Sequence, residues 1–149
     1  IVDASGTLLT SCVDALPTMI KPNTDEIGQL LGREVTTEDE VIAAAQELHK
    51  RGIKIVVVSL GAKGALMVSD EGTFRANPPK IEAINPVGAG DTLVGSFAVA
   101  LAQQKPTSEC LTFALSCATA SCLSAGTGRF DQDVATEIHK QVTIKKIAE

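Results

Sequence analysis

The run Ile53-Lys54-Ile55-Val56-Val57-Val58-Ser59 constrains this chain more than any other stretch. It is β-branched and almost unbroken by polar residues. A strand with one wet face alternates in polarity, whereas a continuous apolar run marks a strand covered on both faces, as in a parallel sheet. Just upstream, Thr37 opens a helical pattern, and Glu40 three residues on completes the spacing of a capping box. Val41, Ala45 and Leu48 recur on one side of that helix, and Gly52 closes it. Residues 35–59 therefore read as one helix-then-strand step of an α/β fold.

The neighbouring segments extend that pattern. Met19-Ile20-Lys21-Pro22-Asn23 reads as a short strand running into a polar stop, and Thr24 to Gly32 as a short helix ended by Gly32. Beyond the long strand, Ser59 to Gly64 is a tight turn and Ala65 to Val68 a strand. Asp70-Glu71-Gly72 is a hairpin turn, and Phe74 to Ala76 returns. Lys80 to Ile84 reads as a further extended piece, Asn85 to Asp91 as a loop, and Thr92 to Gln104 as a helix of small and apolar residues. After Pro106-Thr107, a long helix carries Leu111, Leu115, Ala118 and Cys122 on one face and ends at Gly126-Thr127-Gly128. The last expected element is an amphipathic helix from Val134 to Ile147 with a basic final turn. The opening Ile1 to Gly6 lacks the basic n-region and apolar core of a signal peptide and reads as a strand belonging to something longer.

Composition narrows the function classes. Hydrophobic residues make up 44% of the 149, enough to bury a core, so a disordered tail is not expected. No apolar run approaches the roughly 18 residues of a membrane-spanning helix, so no membrane partner is expected. The net charge is -5, and Lys and Arg are scattered rather than gathered on one face. With no Trp and no Tyr to stack on bases, a nucleic-acid partner is not expected either. Cys12, Cys110, Cys117 and Cys122 form no C-x-x-C pair, and His49 and His139 are the only histidines. That set does not suggest a zinc site; it suggests reduced thiols packed as small hydrophobes in the cytoplasm.

The sharpest chemical signal is Gly88-Ala89-Gly90-Asp91 at the start of a helix. Small residues leave backbone N–H groups open to a ligand, and a helix N-terminus adds unsatisfied N–H groups and partial positive charge. Together they can hold phosphoryl oxygens, and a carboxylate at Asp91 could take a proton from an attacking hydroxyl. The plainer alternative is that Asp91 only caps the helix. No Gly-Lys-Ser/Thr follows, so this is not a Walker A loop, and the third Gly of a dinucleotide fingerprint is missing, so a dinucleotide-dependent oxidoreductase is not expected.

Asn85-Pro86-Val87-Gly88-Ala89-Gly90-Asp91-Thr92-Leu93-Val94-Gly95-Ser96-Phe97 resembles the C-terminal signature of ribokinase-like (pfkB) sugar kinases. The resemblance implies Asp91 as catalytic base and Gly88, Ala89 and Gly90 as an anion hole. Two more segments match in the family's order. Lys21-Pro22-Asn23-Thr24-Asp25-Glu26 resembles the family's N-x-x-E motif, which implies Asn23 and Glu26 near magnesium and phosphate. Taken alone, Asn-x-x-Glu at a helix start reads first as a capping arrangement; in the company of the other motifs it reads as an amide and a carboxylate one turn apart, which suit a magnesium ion held largely through water. Ser59-Leu60-Gly61-Ala62-Lys63-Gly64 resembles the nucleotide segment, implying ATP contacts at Ser59, Gly61 and Gly64; alone it is an ordinary glycine turn.

The resemblance runs from Val2 to Gly126 and is nearest to the tagatose-6-phosphate kinase and 1-phosphofructokinase branch. It implies a three-layer α/β fold with a mostly parallel central sheet, ATP and Mg2+ as cofactors, and a phosphorylated ketohexose as acceptor. Family members are about twice as long by domain-size expectation, which makes this the C-terminal, nucleotide-binding portion of one kinase domain, with sugar contacts and lid supplied elsewhere. A homodimer is among the assemblies open to the longer parent. The alternative from another class is a nucleotide-binding fragment or module without catalysis.

Overall fold

The computed structural model describes residues 1–148. Its elements in chain order are α1 (Gly6–Asp14), β1 (Met19–Ile20), α2 (Thr24–Leu31), α3 (Glu38–Lys50), β2 (Ile55–Ser59), β3 (Ala65–Ser69), β4 (Gly72–Asn77), α4 (Ala89–Ala102), α5 (Thr107–Cys122), α6 (Gln132–His139) and β5 (Thr143–Ala148). A 3-10 turn at Gly61–Lys63 joins β2 to β3. Two compact units are present. The first comprises Ile1–Gly61, Ala65–Arg75 and the segment from Lys146, and the second comprises Ala62–Gly64 and Ala76–Lys145.

The first unit is built on the sheet, whose strand order is β1-β2-β3-β4-β5. Ile55 to Val58 of β2 are all buried, so both faces of the strand are covered, as its unbroken apolar run requires. β1 pairs with β2 in parallel, Met19 opposite Ile55 and Ile20 opposite Val56. β2 and β3 are antiparallel, from Ile55 opposite Ser69 to Ser59 opposite Ala65. The sheet is thus mixed. A parallel pair needs a crossover of about a dozen residues, and the short Leu60 to Gly64 link permits only a hairpin. Val56, Val58, Leu66 and Val68 pack with Leu9 and Val13 of α1, Ile27 of α2, and Val41, Ala44, Ala45 and Leu48 of α3.

The local signals around this core are realised. Gly32 ends α2 in the left-handed region, and Thr37 caps α3 with a complete box to Glu40. The Glu40 carboxylate accepts from Thr36 N–H (2.8 Å), Thr37 N–H (2.9 Å) and the Thr36 hydroxyl (3.0 Å). The Thr36 backbone bond, then the Thr37 one, hold its pKa down from 4.5 to about 2. A folded value below the unfolded one means this group's stabilisation is present above pH 4.5 and is lost as pH falls toward about 2. Glu40→Gln is therefore expected to flatten the acid limb of the stability curve across that window, measured as denaturation midpoint against pH. Coincident curves for variant and unchanged chain would remove Glu40 from this role.

Two segments, one near each end of the chain, depart from expectation. Residues 1–6 were expected as a strand, but Val2 makes only a single parallel bridge to Ile20, and α1 begins at Gly6. The last expected helix, 134 to 147, is split: α6 stops at His139 and Thr143–Ala148 is strand β5. Val142, Thr143 and Ile144 are β-branched in succession, which costs rotamer freedom in a helix and none in a strand. Residues 146–148 run beside β4, where a Cβ at Gly72 would lie 2.8 Å from the Ala148 carbonyl oxygen.

The second unit holds α4, α5 and α6. Cys117, Ala120, Ala135 and Ile138 form its buried cluster, with Phe113, Leu123, Phe130 and Val142 against it. Cys110 and Cys117 are buried free thiols, as small hydrophobes should be. Burial pushes the Cys117 and Cys122 thiols upward in pKa, away from thiolate reactivity. Residues 80–84, expected as an extended piece, belong to no strand; instead Ile84 N–H donates to the Cys122 carbonyl at 2.7 Å. Among the described residues no helix is long and apolar enough to cross a membrane.

Candidate functional site

Of the residues singled out by sequence, Asn23, Glu26, Ser59 and Gly61 belong to the first unit, and Gly64 and Gly88 to Asp91 to the second. In the first unit, Asn23 and Ser59 come side by side. They form a parallel bridge just where β1 and β2 end, and Ser59 N–H donates to the Pro22 carbonyl at 3.0 Å. The carboxyl ends of adjacent parallel strands are where open α/β sheets accept ligands. Ser59 is half-buried and Gly61 exposed, with no atom within 4 Å of where a Cβ of Gly61 would stand. A ligand phosphate could therefore approach the Gly61 backbone closely.

Asn23 and Glu26 make the full capping box. Asn23 Oδ1 accepts from Glu26 N–H at 2.8 Å, and Glu26 Oε2 accepts from Asn23 N–H at 2.9 Å. That leaves Glu26 Oε1 and the second lone pair of Asn23 Oδ1 as acceptors for metal-bound water, with Asn23 Nδ2 a donor only. No group of three or more His, Cys, Asp or Glu capable of holding a metal exists among the described residues. This donor set fits magnesium as it is commonly held with nucleotides, through one carboxylate, waters and the phosphates themselves, and not a closed protein cage.

Lys21 lies in the same motif, directly before Pro22. It is 8% exposed, and its Nζ lies 3.2 Å from Asp3 Oδ2. A buried ammonium needs such a partner, so a fixed positive charge sits two residues before Asn23. The sequence signal is a lysine directly after the apolar strand pair Met19-Ile20, which the structure buries fully.

In the second unit, Gly88 is the N-cap of α4, with φ 83°. A Cβ there would meet Thr127 Cγ2 at 2.8 Å and Gly128 N at 3.0 Å, so both backbone sign and space require glycine. α4 starts at Ala89, three residues before the expected Thr92, which puts Asp91 inside the first turn. Ala89 N–H donates to the Pro86 carbonyl at 3.2 Å, while the N–H groups of Gly88, Gly90 and Asp91 have no partner among the described residues. The Asp91 N–H therefore joins the open amides, which the sequence alone did not indicate. The Asp91 side chain is exposed and makes no capping bond; the cap position is instead braced by the Thr92 hydroxyl donating to the Gly88 carbonyl at 2.8 Å. Gly64, with φ 97°, is filled on its Cβ side by its own chain, against the Ala76 carbonyl and Pro78 Cδ.

Hollows of about 550 Å³ beside α2, lined by Thr24, Asp25 and Arg33 among others, and about 410 Å³ beside α6, lined by Ile81, Leu123 and Val134 among others, contain none of these site residues. Open backbone at strand ends and a helix start, and not enclosed volume, thus distinguishes the candidate residues.

The chain is similar to several known proteins. A 1-phosphofructokinase of Vibrio cholerae is 32% identical over 145 residues, covering 97% of this chain and 46% of that protein. A tagatose-6-phosphate kinase of Staphylococcus epidermidis is 34% identical over 150 residues, covering 99% and 48%. The chain thus spans about half the length of the curated relatives it matches. Among solved structures, phosphofructokinase-2 of Escherichia coli, crystallised with potassium, superposes with a TM-score of 0.89 at 36% identity over 94% of this chain and 46% of that one. The expected α/β, ribokinase-like fold is therefore present. The pfkB carbohydrate kinase model matches residues 1–133, which include every candidate residue above, and the chain belongs to that family.

Proposed function

We propose that this protein takes part in ATP-dependent transfer of a phosphoryl group to a hydroxyl of a phosphorylated ketohexose, such as tagatose 6-phosphate or a fructose phosphate. The observation that carries this reading is the start of α4. Unpartnered N–H groups at Gly88, Gly90 and Asp91 stand there beside an Asp91 carboxylate that caps nothing. The Asp91 carboxylate accepts the proton of the acceptor hydroxyl. The freed oxygen attacks the γ-phosphorus, the bond from that phosphorus to the β–γ bridging oxygen breaks, and ADP carries away the electron pair. The open amides, aided by the positive end of α4, stabilise charge on the transferring group. Ala89 belongs to the same turn, its N–H shared with Pro86.

In the first unit, Ser59 and Gly61 approach the nucleotide phosphates. Glu26 Oε1 and Asn23 would hold magnesium through water, where the ion would neutralise phosphate charge. Gly64 shapes the segment that follows. Four free cysteines suit the reducing cytoplasm as compartment. The sugar-phosphate class rests on the names of the relatives.

The test is ADP release with ATP, magnesium and each candidate sugar phosphate, alongside calorimetry with ATP. Sugar-dependent ADP release supports the kinase reading. ATP binding without it favours the alternative, a nucleotide-binding module.

Glu26→Gln separates the metal role from the cap. Its amide oxygen can still accept from Asn23 N–H, so α2 should remain capped. The magnesium concentration for half-maximal nucleotide binding is expected to rise by about tenfold, the scale of losing an outer-shell partner. Superimposed magnesium titrations would leave Glu26 as a helix cap only.

A further inference from the structure

Asn85 lies outside the chemistry proposed above, yet all its side-chain polar atoms are engaged. Its Oδ1 accepts from Val87 N–H at 3.0 Å, a local turn that many Asn-Pro sequences make. Its Nδ2 reaches much further. It donates to the Ala125 carbonyl at 3.1 Å, 40 residues along the chain, and contacts the Thr127 hydroxyl at 3.5 Å. The backbone adds to the connection, since Ile84 N–H and Asn85 N–H both donate to the Cys122 carbonyl, at 2.7 and 3.0 Å. The segment tied down in this way is the one that touches Gly88. Thr127 Cγ2 and Gly128 N occupy the space a Cβ of Gly88 would need. The turn at 86–90 is thereby held from two directions: Asn85 fixes segment 125–127, and that segment walls in Gly88.

Only an amide side chain does both jobs. A carboxylate would set an oxygen against the Ala125 carbonyl, and a shorter hydroxyl would keep the Val87 bond but fall short of Ala125. Resting on the reading of residues 88–91 as the phosphoryl site, we propose that Asn85 is a positioning residue whose amide clasps segment 125–127 to the 86–90 turn and so holds the Gly88, Gly90 and Asp91 N–H groups in the arrangement that receives the terminal phosphate of ATP.

The test compares the 149-residue chain with Asn85→Ala and Asn85→Ser. Each is measured for affinity for ATP and for ADP in magnesium, hydrogen–deuterium exchange at residues 86–91 and 124–128, and thermal midpoint. Both variants are expected to exchange faster in both segments. Both should also lose about tenfold in preference for ATP over ADP, the scale of one hydrogen bond to a charged group. Unchanged exchange and unchanged preference overturn the clasp. Faster exchange with an intact ATP preference overturns the positioning role as well, because a purely structural tie would give that result. If Asn85→Ala does not fold, Asn85→Ser, which retains an oxygen for Val87 N–H, decides. If the unchanged chain binds ADP as tightly as ATP, the phosphoryl-site reading of 88–91 fails, and exchange at 124–128 alone decides whether Asn85 is a clasp.

Discussion

Asp91→Asn is expected to lower turnover by about a hundredfold to ten-thousandfold, the usual range for removing a general base, in any preparation of this protein that phosphorylates a sugar phosphate. ATP affinity is expected to stay close to that of the unchanged protein. Asparagine has the same shape as aspartate and keeps the backbone N–H, so the open amides at the start of α4 persist while proton acceptance is lost. The side chain bears no structural burden that could confuse the result: the N-cap is Gly88, the brace is Thr92, and Asp91 makes no cap bond. Steady-state kinetics with matched ATP titrations check this. Retention of more than about a tenth of kcat would remove Asp91 as the base.

Gly64→Ala is expected to destabilise the protein by about 2–5 kcal/mol. Roughly 1–2 kcal/mol comes from forcing a side chain onto positive-φ backbone, and about 1–3 from overpacking. The new methyl would overlap the Ala76 carbonyl oxygen and lie 2.8 Å from Pro78 Cδ. Neither can give way easily, one being backbone and the other a ring. Such a loss is a large share of a typical total of about 5–15 kcal/mol. Gly61→Ala is the internal control. It also has positive φ, but no atom lies within 4 Å of its Cβ position, so only the conformational part, about 1–2 kcal/mol, should appear. Urea melts of both variants measure the difference. Equal losses would mean that close packing around Gly64 carries no weight.

The sequence by itself determined the elements whose signals are local. β2 was legible because its unbroken β-branched run has one comfortable environment, and α2 and α3 because their caps and stops are written within a few residues: Asn23 with Glu26 and Gly32, Thr37 with Glu40 and Gly52. The motif from Asn85 to Phe97 was legible for the same reason and carried the family with it. Tertiary structure decided what depends on partners distant in sequence. α1 has no side-chain cap, buries only Leu9 and Val13, and is followed by Leu16 at φ 50°, a position more often glycine's. Leu16 lies where a Cβ of Gly52 would touch it at 3.3 Å. β5 looked helical because Val134 to Ile147 has an amphipathic composition, and became a strand where residues 146–148 run beside β4. The same dependence on distant groups hid the Lys21–Asp3 pair, the carbonyl that fixes Gly64, and the reach of Asn85 to Ala125. Propensity and capping act over one or two turns of chain, whereas burial of a charge, exclusion of a methyl group and pairing at a sheet edge exist only once the distant segment has arrived.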